Sequence, residues 1–168
     1  MLTGQIGLRR YSGGWVGKAI EWATRSHTHH VVVAMSEVDC ISAEPGGVRY
    51  RLISDYPEVV WSRFGLTVAQ QQAITAAART FEGRPYNYAI YGPLLWQRIT
   101  GVKVDGWVAQ WLARRPNENC SQLTDDIYTL AGFHLFPDIS QLVTPGDFER
   151  LFQSLGWLET HSLTGVQQ

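Results

Sequence analysis

The run Val31-Val32-Val33-Ala34-Met35 is apolar at every position and rich in β-branched side chains, which predicts a buried strand over residues 30–35. Shorter strands are predicted at 3–8, at 38–44 closed by Pro45-Gly46-Gly47, at 48–53 where apolar and polar residues alternate, and at 59–63. Helical spacing of Val16, Ala19, Ile20 and Ala23 predicts a helix over 15–24, after a turn at Tyr11-Ser12-Gly13-Gly14. A clearer helix is predicted over 67–81. Its interior is alanine-rich, Thr67 and Gln70 fit a capping box, and Glu82-Gly83-Arg84-Pro85 ends it.

A second clear helix is predicted over about 120–131. Asn119 is a good N-cap residue, and Gln122 stands at the capping-box position. Leu123, Ile127, Leu130 and Ala131 form its apolar stripe, and Gly132 suits the position after its end. A last helix starts after Thr144-Pro145-Gly146-Asp147 and carries Phe148, Leu151 and Phe152. Between the clear helices, residues 86–116 are rich in Tyr and Trp and show no firm period, although Trp107 and Trp111 lie one turn apart if 105–114 is helical. These elements predict one α+β domain over 1–168, with a core at about 3–155 and a polar tail at about 160–168. No internal repeat and no interdomain linker is visible.

Charge and composition narrow the function. A net charge of −1, from 14 basic and 15 acidic residues, offers no footprint for nucleic acid. No basic segment leads into an apolar one at the N-terminus, so no signal peptide is expected. No apolar run approaches the roughly 18 residues of a membrane span. The default location is therefore cytoplasmic, with a phage-encoded protein released or carried in the virion as the alternative. Two cysteines are too few for a secreted disulfide framework.

Those two cysteines differ in setting. Cys40 lies inside a predicted strand and reads as a small buried apolar residue. Cys120 follows the cap residue Asn119, in the first turn of a predicted helix, among polar Ser121 and Gln122. Unpaired N–H groups there favour a thiolate and can donate to an oxyanion, so a lowered pKa is expected for this thiol. His27, His29 and His30 lead into the apolar strand, and His30, which directly abuts it, is the candidate base. Neither Cys-x-x-Cys nor His-Glu-x-x-His spacing occurs, so no metal or cofactor is expected. If the strands at 30–35 and 38–44 pair antiparallel, Glu44 or Ser42 approaches His30 and orients it.

The order of these motifs carries a resemblance. A His-Val-Val-Val-Ala strand is followed by Ala43-Glu44-Pro45-Gly46-Gly47-Val48, an alanine-rich helix, Gly83-Arg84-Pro85-Tyr86-Asn87 and finally Asn119-Cys120-Ser121-Gln122-Leu123. This resembles the circularly permuted branch of the NlpC-type papain-like superfamily, which includes lecithin–retinol acyltransferase-like enzymes. The histidine precedes the cysteine, as in that branch. The resemblance implies a papain-like core, an antiparallel sheet packed against the cysteine helix. It implies Cys120 as nucleophile, His30 as base, Glu44 as the orienting group and Tyr86 as an oxyanion or substrate contact. His29 departs from the serine common at that position, and the Trp-rich segment at about 91–116 is a long insertion. The implied activity is a cysteine hydrolase (peptidase or amidase) acting on a peptide, or on a peptidoglycan stem peptide. The alternatives are a lipid acyltransferase or deacylase using the same Cys–His pair, and a non-catalytic binding module that retains the fold.

Overall fold

A computed structural model describes residues 1–10, 28–86, 119–137 and 143–157. In chain order these hold β1 (Ile6–Arg10), β2 (Thr28–Ala34), β3 (Asp39–Glu44), β4 (Gly47–Leu52), a 3-10 turn (Ile53–Asp55), β5 (Val59–Trp61), α1 (Val68–Arg79), α2 (Cys120–Leu130) and α3 (Pro145–Ser154). The five strands form one antiparallel sheet in the order β4-β3-β2-β1-β5, so the chain is α+β. β2, β3 and β4 follow one another as hairpins, and β5 returns to the opposite edge beside β1.

Alternation along the strands sorts the side chains onto two faces. Ile6, Leu8, Val31, Val33, Ile41, Ala43 and Val48 point to one face, where Ile74 and Ala78 of α1, Leu123 and Ile127 of α2, and Phe148 and Phe152 of α3 close the main core. Val32 and Cys40 point to the other face and form a smaller cluster with Tyr56. The buried Tyr128 hydroxyl donates to the Gly4 carbonyl and ties α2 to the start of the chain. Buried Gln5 bonds Ser62 at 2.6 Å and the Phe64 amide at 2.9 Å, fixing the exit of β5 against β1.

Several predicted boundaries move. The first strand begins three residues later than predicted and runs through Arg10. The histidine strand starts two residues earlier and includes His29, where the β1–β2 register slips: Arg9 faces His30 and Arg10 faces Thr28. The strand predicted over 48–53 stops at Leu52 because the chain turns into the 3-10 segment, and the one predicted over 59–63 stops at Trp61. The Thr67–Gln70 capping box is present. Asn119 caps α2 through Ser121 and Gln122 amides at 3.0 and 2.9 Å. The reciprocal half of the box is not made, because the buried Gln122 Oε1 has no hydrogen-bond partner. Leu130 is not part of the buried stripe; it is 59% exposed. Gly132 has φ +91°, a conformation that favours glycine at a helix end. The predicted helix at 15–24, the segment 91–116 and the tail at 160–168 lie outside the described residues.

Two motifs far apart in sequence meet in the fold. The Val48 amide donates to the Arg84 carbonyl at 2.8 Å, and the Gly83 amide donates to the Val48 carbonyl at 2.9 Å. Gly47, at φ +106°, lies so close that an added Cβ would fall 2.7 Å from the Arg84 oxygen. The Pro-Gly-Gly turn after Glu44 is thereby latched to the segment that leads into Tyr86.

Candidate active site

β2 and β3 are paired only at Val33↔Ile41 and Ala34↔Cys40. Continuing that register would set Val32 opposite Ser42 and His30 opposite Glu44, but the ladder has already stopped. The direction of the free backbone groups follows from Ala34, whose N–H and C=O both bond towards β1, at Gln5 and Gly4. In a strand these directions alternate, so the Val31 N–H points towards β3, into the opening. The Cys120 thiol takes that amide as a donor. The cysteine therefore sits at the mouth of the β2–β3 opening, beside the peptide that links His30 to Val31.

His30 spans the same opening from the smaller-cluster face of the sheet. Its Nε2 lies 2.7 Å from Ser42 Oγ and 3.7 Å from Glu44 Oε1. Arg51 donates to Glu44 Oε2 through Nε at 3.1 Å and Nη2 at 3.0 Å, and the Tyr56 hydroxyl donates to Oε1. The Tyr56 ring stacks on the imidazole at 5.6 Å between centroids, and the Arg9 guanidinium lies 5.6 Å from the Tyr56 ring centre. Both residues expected near His30 are close to it, with Ser42 making the direct contact and Glu44 standing behind it.

The electrostatics leave His30 and Cys120 uncharged near neutral pH and Glu44 ionised. Burial lowers the His30 pKa to about 4 despite the opposing pull of Glu44, with His29 and Arg9 adding to the lowering. Burial acts to raise the Glu44 carboxyl, but the Tyr56 hydroxyl, His30 and Arg51 outweigh it and hold the group below its ordinary range. The expectation of a lowered Cys120 pKa is not met. Burial raises it, and the Val31 amide, the Ser121 hydroxyl and the Ser121 and Cys120 amides offset only part of that rise. The donors expected from a helix N-terminus are present; the thiol is too desolvated for them to prevail.

Cys40 is fully buried in β3, and burial pushes its thiol up to about 12, the inert setting its strand position predicted. Tyr86 packs against the main core, at the end of the segment latched to Val48. Arg51 and Tyr56 were not anticipated. Strand parity could have nominated Arg51, since it pairs with Cys40 and shares the face of Ser42 and Glu44. Tyr56 follows a 3-10 turn, where no periodic signal marks its direction. A cleft of about 560 Å³ lies elsewhere, at the β5 edge, lined by Arg10, Trp61, Phe64 and Trp157 among others and by none of the residues around His30. Among the described residues, no group of three His, Cys, Asp or Glu side chains converges to hold a metal, and no helix is long and apolar enough to cross a membrane.

No protein-family model matches the chain, and no curated protein matches it. Among solved structures the fold is similar to that of the metalloprotein yiiX of Escherichia coli O157:H7, a DUF1105 protein. The TM-score is 0.55 at 24% identity, over 79% of this chain and 68% of that one.

Proposed function

We propose that this chain is a cysteine hydrolase with a circularly permuted papain-like core, cleaving an amide bond in a peptide or a peptidoglycan stem peptide. The observation that carries the reading is the shared opening between β2 and β3. It is spanned by a histidine whose Nε2 is already engaged, and a helix-terminal thiol sits at its mouth against the Val31 amide. With Nε2 committed to Ser42 and Glu44, Nδ1 is the nitrogen left to serve as base.

The chemistry follows general-base order rather than starting from a preformed ion pair, because both partners rest neutral. Nδ1 takes the Cys120 proton as the sulfur attacks the carbonyl carbon, and the carbonyl π electrons move onto oxygen. The Cys120 amide stabilises that oxyanion, with Tyr86 as the further donor the family resemblance supplies. The imidazolium, 3.7 Å from the Glu44 carboxylate, then protonates the departing amine as the C–N bond breaks. Water, deprotonated by Nδ1, attacks the thioester, and the sulfur leaves with the proton returned.

The same steps apply to an acyl ester, so a lipid acyltransferase or deacylase is the competing enzyme. The buried, protonated thiol favours a different reading, a binding module that keeps the fold without the chemistry. Cys120→Ala and Cys40→Ala variants, assayed on muropeptides and on acyl esters, separate the three. Loss of turnover in Cys120→Ala alone supports the hydrolase, and the responsive substrate names its class. Equal turnover in wild type and Cys120→Ala removes the mechanism.

A further inference from the structure

The geometry points to Tyr56 as a positioning residue that, with Arg51, fixes Glu44 and thereby holds His30 as the Nε2–H tautomer, leaving Nδ1 free to act as base. The catalytic sense of this assignment rests on the hydrolase reading above; the tautomer itself does not.

A neutral imidazole carries one N–H and one lone pair, and its neighbours decide which nitrogen holds which. Two oxygens surround Nε2, Ser42 Oγ at 2.7 Å and Glu44 Oε1 at 3.7 Å. An ionised carboxylate only accepts hydrogen bonds. A lone pair on Nε2 would face its negative charge, whereas an N–H is attracted to it. The proton therefore belongs on Nε2.

That argument needs Glu44 to stay ionised and still, and the surrounding groups ensure both. Arg51 holds Oε2 with two nitrogens, two charge-assisted bonds on the oxygen that Tyr56 does not bind. The Tyr56 hydroxyl holds Oε1, the oxygen nearer the imidazole. Having given its proton to Glu44, the Tyr56 oxygen can only accept, and the Ser42 hydroxyl is its neighbour. Ser42 then turns a lone pair, not its proton, towards Nε2. The charged and titratable groups facing the imidazole are thus Glu44, with Arg51 behind it, and Arg9 and His29, which do not offer Nε2 a competing acceptor. Stacking of the phenol ring limits rotation of the imidazole out of this arrangement.

Nitrogen NMR of the ¹⁵N-labelled full chain at pH 7 tests this directly, since protonated and unprotonated ring nitrogens have well-separated shifts. Wild type and Cys120→Ala should both show His30 with Nε2 protonated. Tyr56→Phe keeps the ring and removes only the hydroxyl. It frees the Ser42 proton to turn towards Nε2, so the Nδ1–H tautomer should grow. kcat should then fall roughly 10- to 100-fold with KM little changed, the worth of one hydrogen bond to a charged group. Arg51→Gln, at a side chain one-third exposed, should shift the tautomer in the same direction and serves if Tyr56→Phe does not fold. A wild-type His30 protonated on Nδ1, or an unchanged tautomer in the folded variants, overturns the assignment. A chain that shows the expected tautomers but no thiol-dependent turnover keeps the positioning role and removes the hydrolase reading instead.

Discussion

Arg51 grips the Glu44 carboxylate with two nitrogens, at 3.1 and 3.0 Å, from the side away from His30. A lone surface ion pair contributes little. Here one carboxylate also receives the Tyr56 hydroxyl and faces an imidazole across 3.7 Å, so its charge organises three other side chains.

Glu44→Gln should therefore cost stability at neutral pH, by about 1–3 kcal/mol for the charge-assisted bonds it removes. The Glu44 pKa is held below its ordinary value, so its contribution is present above about pH 4.5 and is lost as pH falls through the folded pKa. Urea titrations of wild type and variant should differ at pH 7 and converge in acid. A constant difference across pH would show that the charge is not the cause.

His30 gives the chain a second acid sensitivity. Its folded pKa, about 4, lies below the ordinary 6.5, so the unfolded chain binds the extra proton first. The resulting stability is fully present above pH 6.5 and drains away as pH falls towards 4, by on the order of 3 kcal/mol at most. His30→Asn should flatten the stability profile in this window, as measured by Tm at half-unit pH steps.

Asp125 acts with the opposite sign. It is buried in α2 with Oδ1 unpartnered, and burial, with Asp126 adding, lifts its pKa to about 6. A raised carboxyl pKa means the ionised form is disfavoured in the fold above pH 6. Asp125→Asn should raise Tm at pH 8 and change it little at pH 4. A lower Tm at pH 8 would mean the charge has a use in the folded state.

Gly47→Ala tests the latch between the turn after Glu44 and the segment at 83–85. The added methyl meets a backbone oxygen at 2.7 Å from a position with φ +106°. A destabilisation of about 1–3 kcal/mol is expected from the strained backbone, with the contact adding to it. Gly132→Ala, whose added Cβ meets nothing within 4 Å, isolates the conformational part.

Much of this arrangement was legible because strands and caps leave local signatures. The apolar run after His30, the Pro-Gly-Gly turn and the Thr67 and Asn119 caps each marked an element that forms. Parity then set Ser42 and Glu44 on the face of His30. What escaped was tertiary. Nothing near Cys120 in sequence announces how deeply its thiol is buried, and burial reversed the expected direction of its pKa. Tyr56 reaches Glu44 only because a 3-10 turn brings it back across the sheet.

The bond from Tyr128 to Gly4 joins residues 124 positions apart. A chain emerging from the ribosome can pair β2, β3 and β4 early, since those hairpins are local. It cannot dock the cysteine helix onto β2 and β3 until nearly four-fifths of this sequence exists. Closing so long a loop is slow, and contacts of this range set the pace of folding. The strands that carry His30 and Glu44 can thus pair before the helix that carries Cys120 docks.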